Sequence, residues 1–101
     1  MSIIEKISGE HVDLLIADKF IFADGSNFRK LLMGIVEKKI KSLDVDLKDL
    51  AFMDSSGLGM SMVAQKECEA QNIALRILHP KDGVKLLLEM TKSYERFKII
   101  D

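Results

Sequence analysis

Apolar and polar residues alternate with a period of two in several stretches of the chain. In VDLLIA, Val12, Leu14 and Ile16 share one face, and Asp13, Leu15 and Ala17 share the other. Leu43, Val45 and Leu47 alternate with Asp44 and Asp46, and Ile73, Leu75 and Ile77 alternate with Ala74, Arg76 and Leu78. Successive side chains of a strand point to opposite faces, so each stretch predicts a strand with one strongly apolar face. Ile3–Ile7 is a weaker strand pattern, and the turn-like Ser8-Gly9-Glu10 predicts a hairpin joining it to Val12–Ala17. Helical spacing appears between these stretches. Phe28, Leu31, Leu32, Ile35, Val36 and Ile40 fall on one helix face, with cap-type residues in Asp24–Asn27 just before them. A second helix is predicted over Gly57–Gln71, carrying Leu58, Met62, Val63 and Cys68. Pro80 closes the last strand and opens a third helix over Lys81–Lys92, whose stripe is Val84, Leu87, Leu88 and Thr91, with Leu86 and Met90 beside it.

The predicted order is β-β-α-β-α-β-α. Strands alternating with helices imply parallel pairing through right-handed crossovers, hence an α/β fold with a mixed, mostly parallel sheet of four to five strands. The tail Phe97–Ile100 supplies the fifth as a short edge strand. A parallel strand covered on both sides is apolar throughout. Here the second faces carry Asp13, Asp44, Asp46 and Arg76. The helices are therefore expected mainly on one face, with a partly wet surface on the other. A chain of 101 residues without linker, repeat or low-complexity segment is expected to be a single domain, 1–101.

Charge narrows the partners. The 15 basic and 16 acidic residues leave a net charge of −1, which supplies no attraction for nucleic acid or an anionic membrane. Met1–Glu10 interleaves isoleucines with charge and lacks the continuous apolar core of a signal peptide. No run of apolar residues is long enough to insert in a membrane. Cys68 is the one cysteine, so no internal disulfide forms, which fits a cytoplasmic location.

The chemistry concentrates in AFMDSSGLG (51–59), where Ser55 and Ser56 stand between Asp54 and two glycines at the predicted mouth of the second helix. In α/β folds, ligands and partners meet the loops at the carboxyl ends of parallel strands. A serine there caps the helix, accepting a hydrogen bond from a free N–H worth about 1 kcal/mol. Capping alone leaves features over. One cap needs one residue, not the three in a row of Asp54, Ser55 and Ser56. Leu58 and Gly59, three residues after the serines, form no capping box. Gly57 and Gly59 weaken the first turn by roughly 1 kcal/mol each relative to Ala. They make sense where something approaches the backbone closely. A phosphate on Ser56 would bring about −1.5 to −2 charges to a helix end that favours anions, opposed by Asp54.

The stretch FMDSSGLG resembles the signature of the STAS family, the anti-sigma factor antagonist domains of bacteria. The resemblance extends to the order of elements, the helix after the motif and a tail ending in YERFKIID, so it spans nearly the whole chain. It implies a STAS-like sheet and makes Ser56, directly before the first glycine, the phosphoacceptor. It also implies a binding module rather than an enzyme, with no cofactor and no metal. The unphosphorylated protein would dock on a serine kinase of the histidine-kinase-like ATPase fold acting as an anti-sigma factor. Phosphorylation of Ser56 would release it, and a PP2C-type phosphatase would reset it. Asp54, Ser55, Gly57, Leu58, Met60, Phe20, Ile21 and Phe22 are the expected docking residues around Ser56.

One stretch departs from the family pattern. After the second strand many members carry a glycine and then an acidic residue that helps docking; DKFIFADG places Asp18 at the glycine and Ile21 at the acid. Phe20-Ile21-Phe22 reads in two ways, as a plug for the top of the core or as an apolar docking patch. His11 and His79, far apart in sequence, suggest no metal site or triad. Ser56 lacks the G-x-S-x-G elbow of a hydrolase nucleophile. Two rival functions stand beside the switch. One is a non-switching STAS subunit of an ABC-type transport or lipid-trafficking complex; the other is a nucleotide- or anion-binding domain that uses the helix mouth. The output, whether sigma-factor release, biofilm control or regulation of a cyclase, is not encoded in these residues.

Overall fold

Ile3–Ile7 and Val12–Ala17 do pair as a hairpin, because Gly9 takes the left-handed conformation (φ +59°) that its turn requires. The computed structural model describes residues 1–101. Its elements run β1 (Ser2–Ser8), β2 (His11–Phe20), α1 (Gly25–Val36), β3 (Ser42–Asp46), β4 (Leu50–Met53), α2 (Ser55–Ala70), β5 (Ala74–Leu78), α3 (Asp82–Met90) and β6 (Lys98–Ile100). Short 3-10 turns lie at Phe22–Asp24 and Ser93–Glu95. The sheet has six strands in the order β1-β2-β3-β5-β6, with β4 paired to the far end of β2. Only the β1–β2 pair is antiparallel.

The strand missing from the periodicity is β4. Leu50 and Met53 are buried while Ala51 and Phe52, between them, are both exposed, so no alternation marks it. It continues the line of β3 along β2, whose ten residues reach beyond β3. The register slips between Asp18 and Lys19, and Asp18 sits at φ +68°. That is a conformation in which glycine is at ease and an L-residue is strained. The residue matched to the family's glycine thus occupies a glycine-like backbone position.

At the other end of the first crossover, α1 stops at Val36, short of the periodic run. Lys39 turns left-handed (φ +56°), and Ile40 is buried beyond the helix rather than in it.

Helix residues Leu32, Ala64 and Leu88 share one apolar cluster with Ile16, Leu50 and Ile77 from the sheet. A smaller cluster joins Ile35 and Cys68 to Val12, Leu14 and Leu43. The opposite sheet face carries the polar residues, as expected, in a row set by register: Asp13, Asp44, Arg76 and Lys98 are successive partners across β2, β3, β5 and β6. This face is less wet than the pattern suggests, because Asp44 is only 5% exposed. Arg76 covers it, donating from Nε to Oδ1 (2.8 Å) and from Nη2 to Oδ2 (2.6 Å). Those two charged hydrogen bonds hold the Asp44 carboxyl below its ordinary range, against the opposing effect of burial.

Candidate functional site

The first turn of α2 is built on Asp54. Its backbone is extended (φ −95°, ψ −179°), and its Oδ1 accepts a hydrogen bond from the Gly57 N–H at 2.8 Å. Its Oδ2 accepts from the Phe22 N–H (3.3 Å), and its own N–H donates to the Phe20 carbonyl (3.3 Å). One side chain therefore caps α2 and ties the loop after β2 to the helix mouth. The capping role open to the serines belongs to Asp54. Ser55 and Ser56 are the first two residues of α2, exposed and half-buried respectively. Neither hydroxyl takes part in the network that holds the turn. The next serine does otherwise: Ser61 Oγ donates to the Gly57 carbonyl at 3.1 Å.

The two glycines have different reasons. Gly57 is buried, and a Cβ on it would lie 2.3 Å from the Phe20 carbonyl oxygen and 2.9 Å from Met53 Cγ. Its lack of a side chain lets α2 press against β2 and β4. Gly59 is exposed, and a Cβ there would have no atom within 4 Å. Clearance for an approaching partner, ascribed to both from the sequence, is a role only Gly59 is free to play.

The expected docking residues divide likewise. Phe20 is 1% exposed and packs on Phe28, ring centroids 4.8 Å apart, whereas Phe22 is 75% exposed. The segment divides between the two residues: Phe20 plugs the core, and Phe22 stands on the surface. Ile21, at the position of the family's acid, is half-buried. Leu58 is buried and belongs to the core with Phe20, so Phe20, Gly57 and Leu58 support the site from beneath. Met60, half-buried, follows Ser56 by one helical turn and borders a hollow with Phe22, Gly25 and Arg29. The surface around Ser56 thus comprises Ser55, Phe22, Met60, Gly59 and the partly exposed Asp54 and Ile21.

A second polar constellation lies at the opposite end of the sheet, and it was not legible from spacing. His11 has Ser42 Oγ 2.6 Å from Nδ1, and it has Asp13 Oδ1 and Asp44 Oδ2 at 2.9 and 3.6 Å from Nε2. Strand register brings these together, since His11 is opposite Ser42 and Asp13 is opposite Asp44. The available signal was the outward phase that His11 and Asp13 share on one strand with Ser42 and Asp44 on the next. His79 is exposed and remote in the sheet, past the end of β5. Cys68 is fully buried, and burial pushes its thiol up to about 11, which leaves it unreactive.

Residues 3–101 match the family model described as the STAS domain. The chain belongs to the STAS family. Solved STAS-like structures share its fold. A putative anti-sigma factor antagonist from Thermotoga maritima superposes with a TM-score of 0.87 at 20% identity, over 98% of this chain and 86% of that one. The Bacillus cell fate determinant SpoIIAA, in its phosphorylated form, superposes at 0.76 with 16% identity, over 99% and 92%. A sulfate transporter family protein from Wolinella succinogenes superposes at 0.80 with 16% identity, over 95% and 80%. No curated protein matches the sequence significantly. At these identities the likeness carries the fold. No helix of this STAS domain is long and apolar enough to cross a membrane.

Proposed function

We propose that this STAS domain is a phosphorylation-gated anti-sigma factor antagonist. Its unphosphorylated form docks, in the cytoplasm, on a serine kinase of the histidine-kinase-like ATPase fold; phosphate on Ser56 releases it, and a PP2C-type phosphatase restores docking. The observation that carries this reading is the division of labour at the mouth of α2. Asp54 alone caps the helix, which leaves the Ser56 hydroxyl outside the structural network on a part-exposed turn. Phe22 beside it is an exposed aromatic of the kind that anchors an interface. The phosphorylated structure of the relative SpoIIAA is consistent with modification of this fold.

The switch is electrostatic. Phosphate brings about −1.5 to −2 charges to a patch that docking would desolvate, next to the fixed charge of Asp54. The α2 dipole stabilises that charge in the free protein, so modification opposes the complex more than the fold. A loss of about 3–4 kcal/mol weakens binding by hundreds-fold. Ser56→Ala is expected to retain the kinase and Ser56→Asp to lose it in pull-downs from the source cell. Mass spectrometry after incubation with that kinase and ATP is expected to find phosphate on Ser56; phosphate found only elsewhere would refute the assignment.

The transporter-family relative favours a second reading, a non-switching STAS subunit that contacts its assembly through the same surface. The same pull-down separates the two, because such a partner would be retained by an unphosphorylatable protein and by untreated protein alike, with no ATP-dependent release.

A further inference from the structure

The imidazole of His11 is held with one edge against a hydroxyl and the other against two carboxylates. Ser42 Oγ lies 2.6 Å from Nδ1, and a hydroxyl either donates or accepts. Nε2 faces Asp13 Oδ1 at 2.9 Å and Asp44 Oδ2 at 3.6 Å, which are acceptors only. Whatever sits between Nε2 and these oxygens must be positive, either a proton or a metal ion. One ligand atom each from His11, Asp13 and Asp44 lies within 4.8 Å of the other two. Donors on a tetrahedral zinc-class ion, with bonds of about 2.0–2.1 Å, stand about 3.3–3.4 Å apart, a spacing bracketed by the two distances from Nε2.

We propose that His11 Nε2, Asp13 Oδ1 and Asp44 Oδ2 form a binding site for a divalent first-row metal ion of the zinc class, with the fourth position open to water. One imidazole with two carboxylates is a borderline donor set that suits zinc or cobalt better than calcium or magnesium. Outer partners are already in place. With the ion on Nε2, the ring proton would sit on Nδ1 and Ser42 Oγ, 2.6 Å away, would accept it and fix the ring, while Arg76 holds both oxygens of Asp44. The guanidinium also offsets negative charge, as does Lys6, opposite Asp13 on β1. The expected affinity is therefore micromolar rather than that of a closed structural zinc site. Because His11 and Asp13 come from β2 and Asp44 from β3, the ion would staple two parallel neighbours at their amino ends, away from Ser56.

The full chain, stripped with chelator, is titrated with zinc by calorimetry and with cobalt by visible absorption. One equivalent should bind, cobalt should give the intense bands of low-coordinate geometry, and saturating zinc should raise the thermal midpoint. His11→Gln and Asp13→Asn, both at partly exposed positions, should weaken binding at least tenfold and abolish the thermal shift, with the metal-free midpoint checking that each folds. Ser42→Ala should weaken binding by about tenfold through the ring's orientation. His79→Gln should change nothing. Binding that survives His11→Gln, no binding up to millimolar zinc, or an Nε2 that keeps its proton under excess zinc by nitrogen-15 NMR would each overturn the proposal, the last by showing that the site holds a proton only.

Discussion

The two ends of the sheet use polar residues in opposite ways. At the carboxyl ends of the strands, around Ser56, one carboxylate does the structural work and the hydroxyls and Phe22 are left free. At the amino ends, around His11, nearly every polar group is engaged by another: Ser42 with His11, His11 with Asp13, Arg76 with Asp44. The cores beneath differ too. The larger cluster, with Phe20, Phe28 and Leu58, underlies the Ser56 end, and the smaller one, with Val12, Leu43 and Cys68, underlies the His11 end. On the proposed function the Ser56 surface binds and releases a partner, so it keeps its bonding capacity unused and needs a rigid support. At the His11 end the polar groups satisfy one another, because a buried unpaired charge is costly, and the proposed metal ion would take only the place of the proton between His11 Nε2 and the carboxylates.

The largest effects should separate the support of the Ser56 end from its surface. Phe20→Ala removes a fully buried ring and should cost about 3–5 kcal/mol in denaturant unfolding. Phe22→Ala, two residues away and mostly exposed, should change stability by less than about 0.5 kcal/mol while weakening partner capture. If both variants lose only binding, the segment is a patch throughout and the division between Phe20 and Phe22 fails.

The glycines sharpen the same contrast at smaller size. Gly57→Ala drives a Cβ into the Phe20 carbonyl and should destabilise by about 1–3 kcal/mol. Gly59→Ala meets open space and should stabilise the helix by roughly 0.5–1 kcal/mol. A loss of kinase binding in the stable Gly59→Ala protein would identify the space above Gly59 as a partner's. Equal destabilisation by both changes would mean that α2 does not press on β2 as described.

These contrasts also show what the sequence could and could not tell. The period-two runs gave the hairpin and the parallel strands, because each has one apolar face and burial decides register. FMDSSGLG marked the turn at which α2 begins. It did not say which of its residues caps the helix, since Asp, Ser and Ser are all competent N-caps and only the 2.8 Å bond from Gly57 selects Asp54. Nor did it separate Gly57 from Gly59, because the obstacle to a side chain is the carbonyl of Phe20, 37 residues earlier in the sequence. β4 was hidden by two exposed residues in succession. The His11 cluster was hidden because β2 and β3 meet only through the crossover of α1.

Cys68 reports on the other end. Its thiol is raised from 9.0 to about 11 in the folded chain by burial, with a lesser push from Glu67. A raised acid favours its protonated form in the folded state. The associated stability is full below pH 9 and is lost as pH climbs from about 9 to 11. Unfolding midpoints should fall across that window in the native chain and stay flatter in Cys68→Ala, beyond that variant's constant packing loss. Thiol labelling at neutral pH should be no faster than global opening. Rapid labelling of folded protein would show that the His11 end opens by itself and is the looser of the two.

The smallest effect concerns the joint between the ends. Asp18 sits at φ +68°, where β2 slips register and passes from β3 to β4. An aspartate in this conformation carries strain that glycine does not, although glycine also gives the unfolded chain more freedom. The first term should win narrowly, because the backbone is held by the β4 pairing and by the Asp18 N–H bond to the Asp49 carbonyl (3.2 Å). Asp18→Gly is expected to raise stability by about 0.5–1 kcal/mol, read as a higher denaturant midpoint at unchanged slope. Asp18→Ala keeps the strain, loses the carboxylate's tolerance of this conformation, and should lower the midpoint. If alanine stabilised as much as glycine, the gain would come from removing a charge, and the bend that lets one strand serve both ends of the sheet would not depend on a left-handed residue at this position.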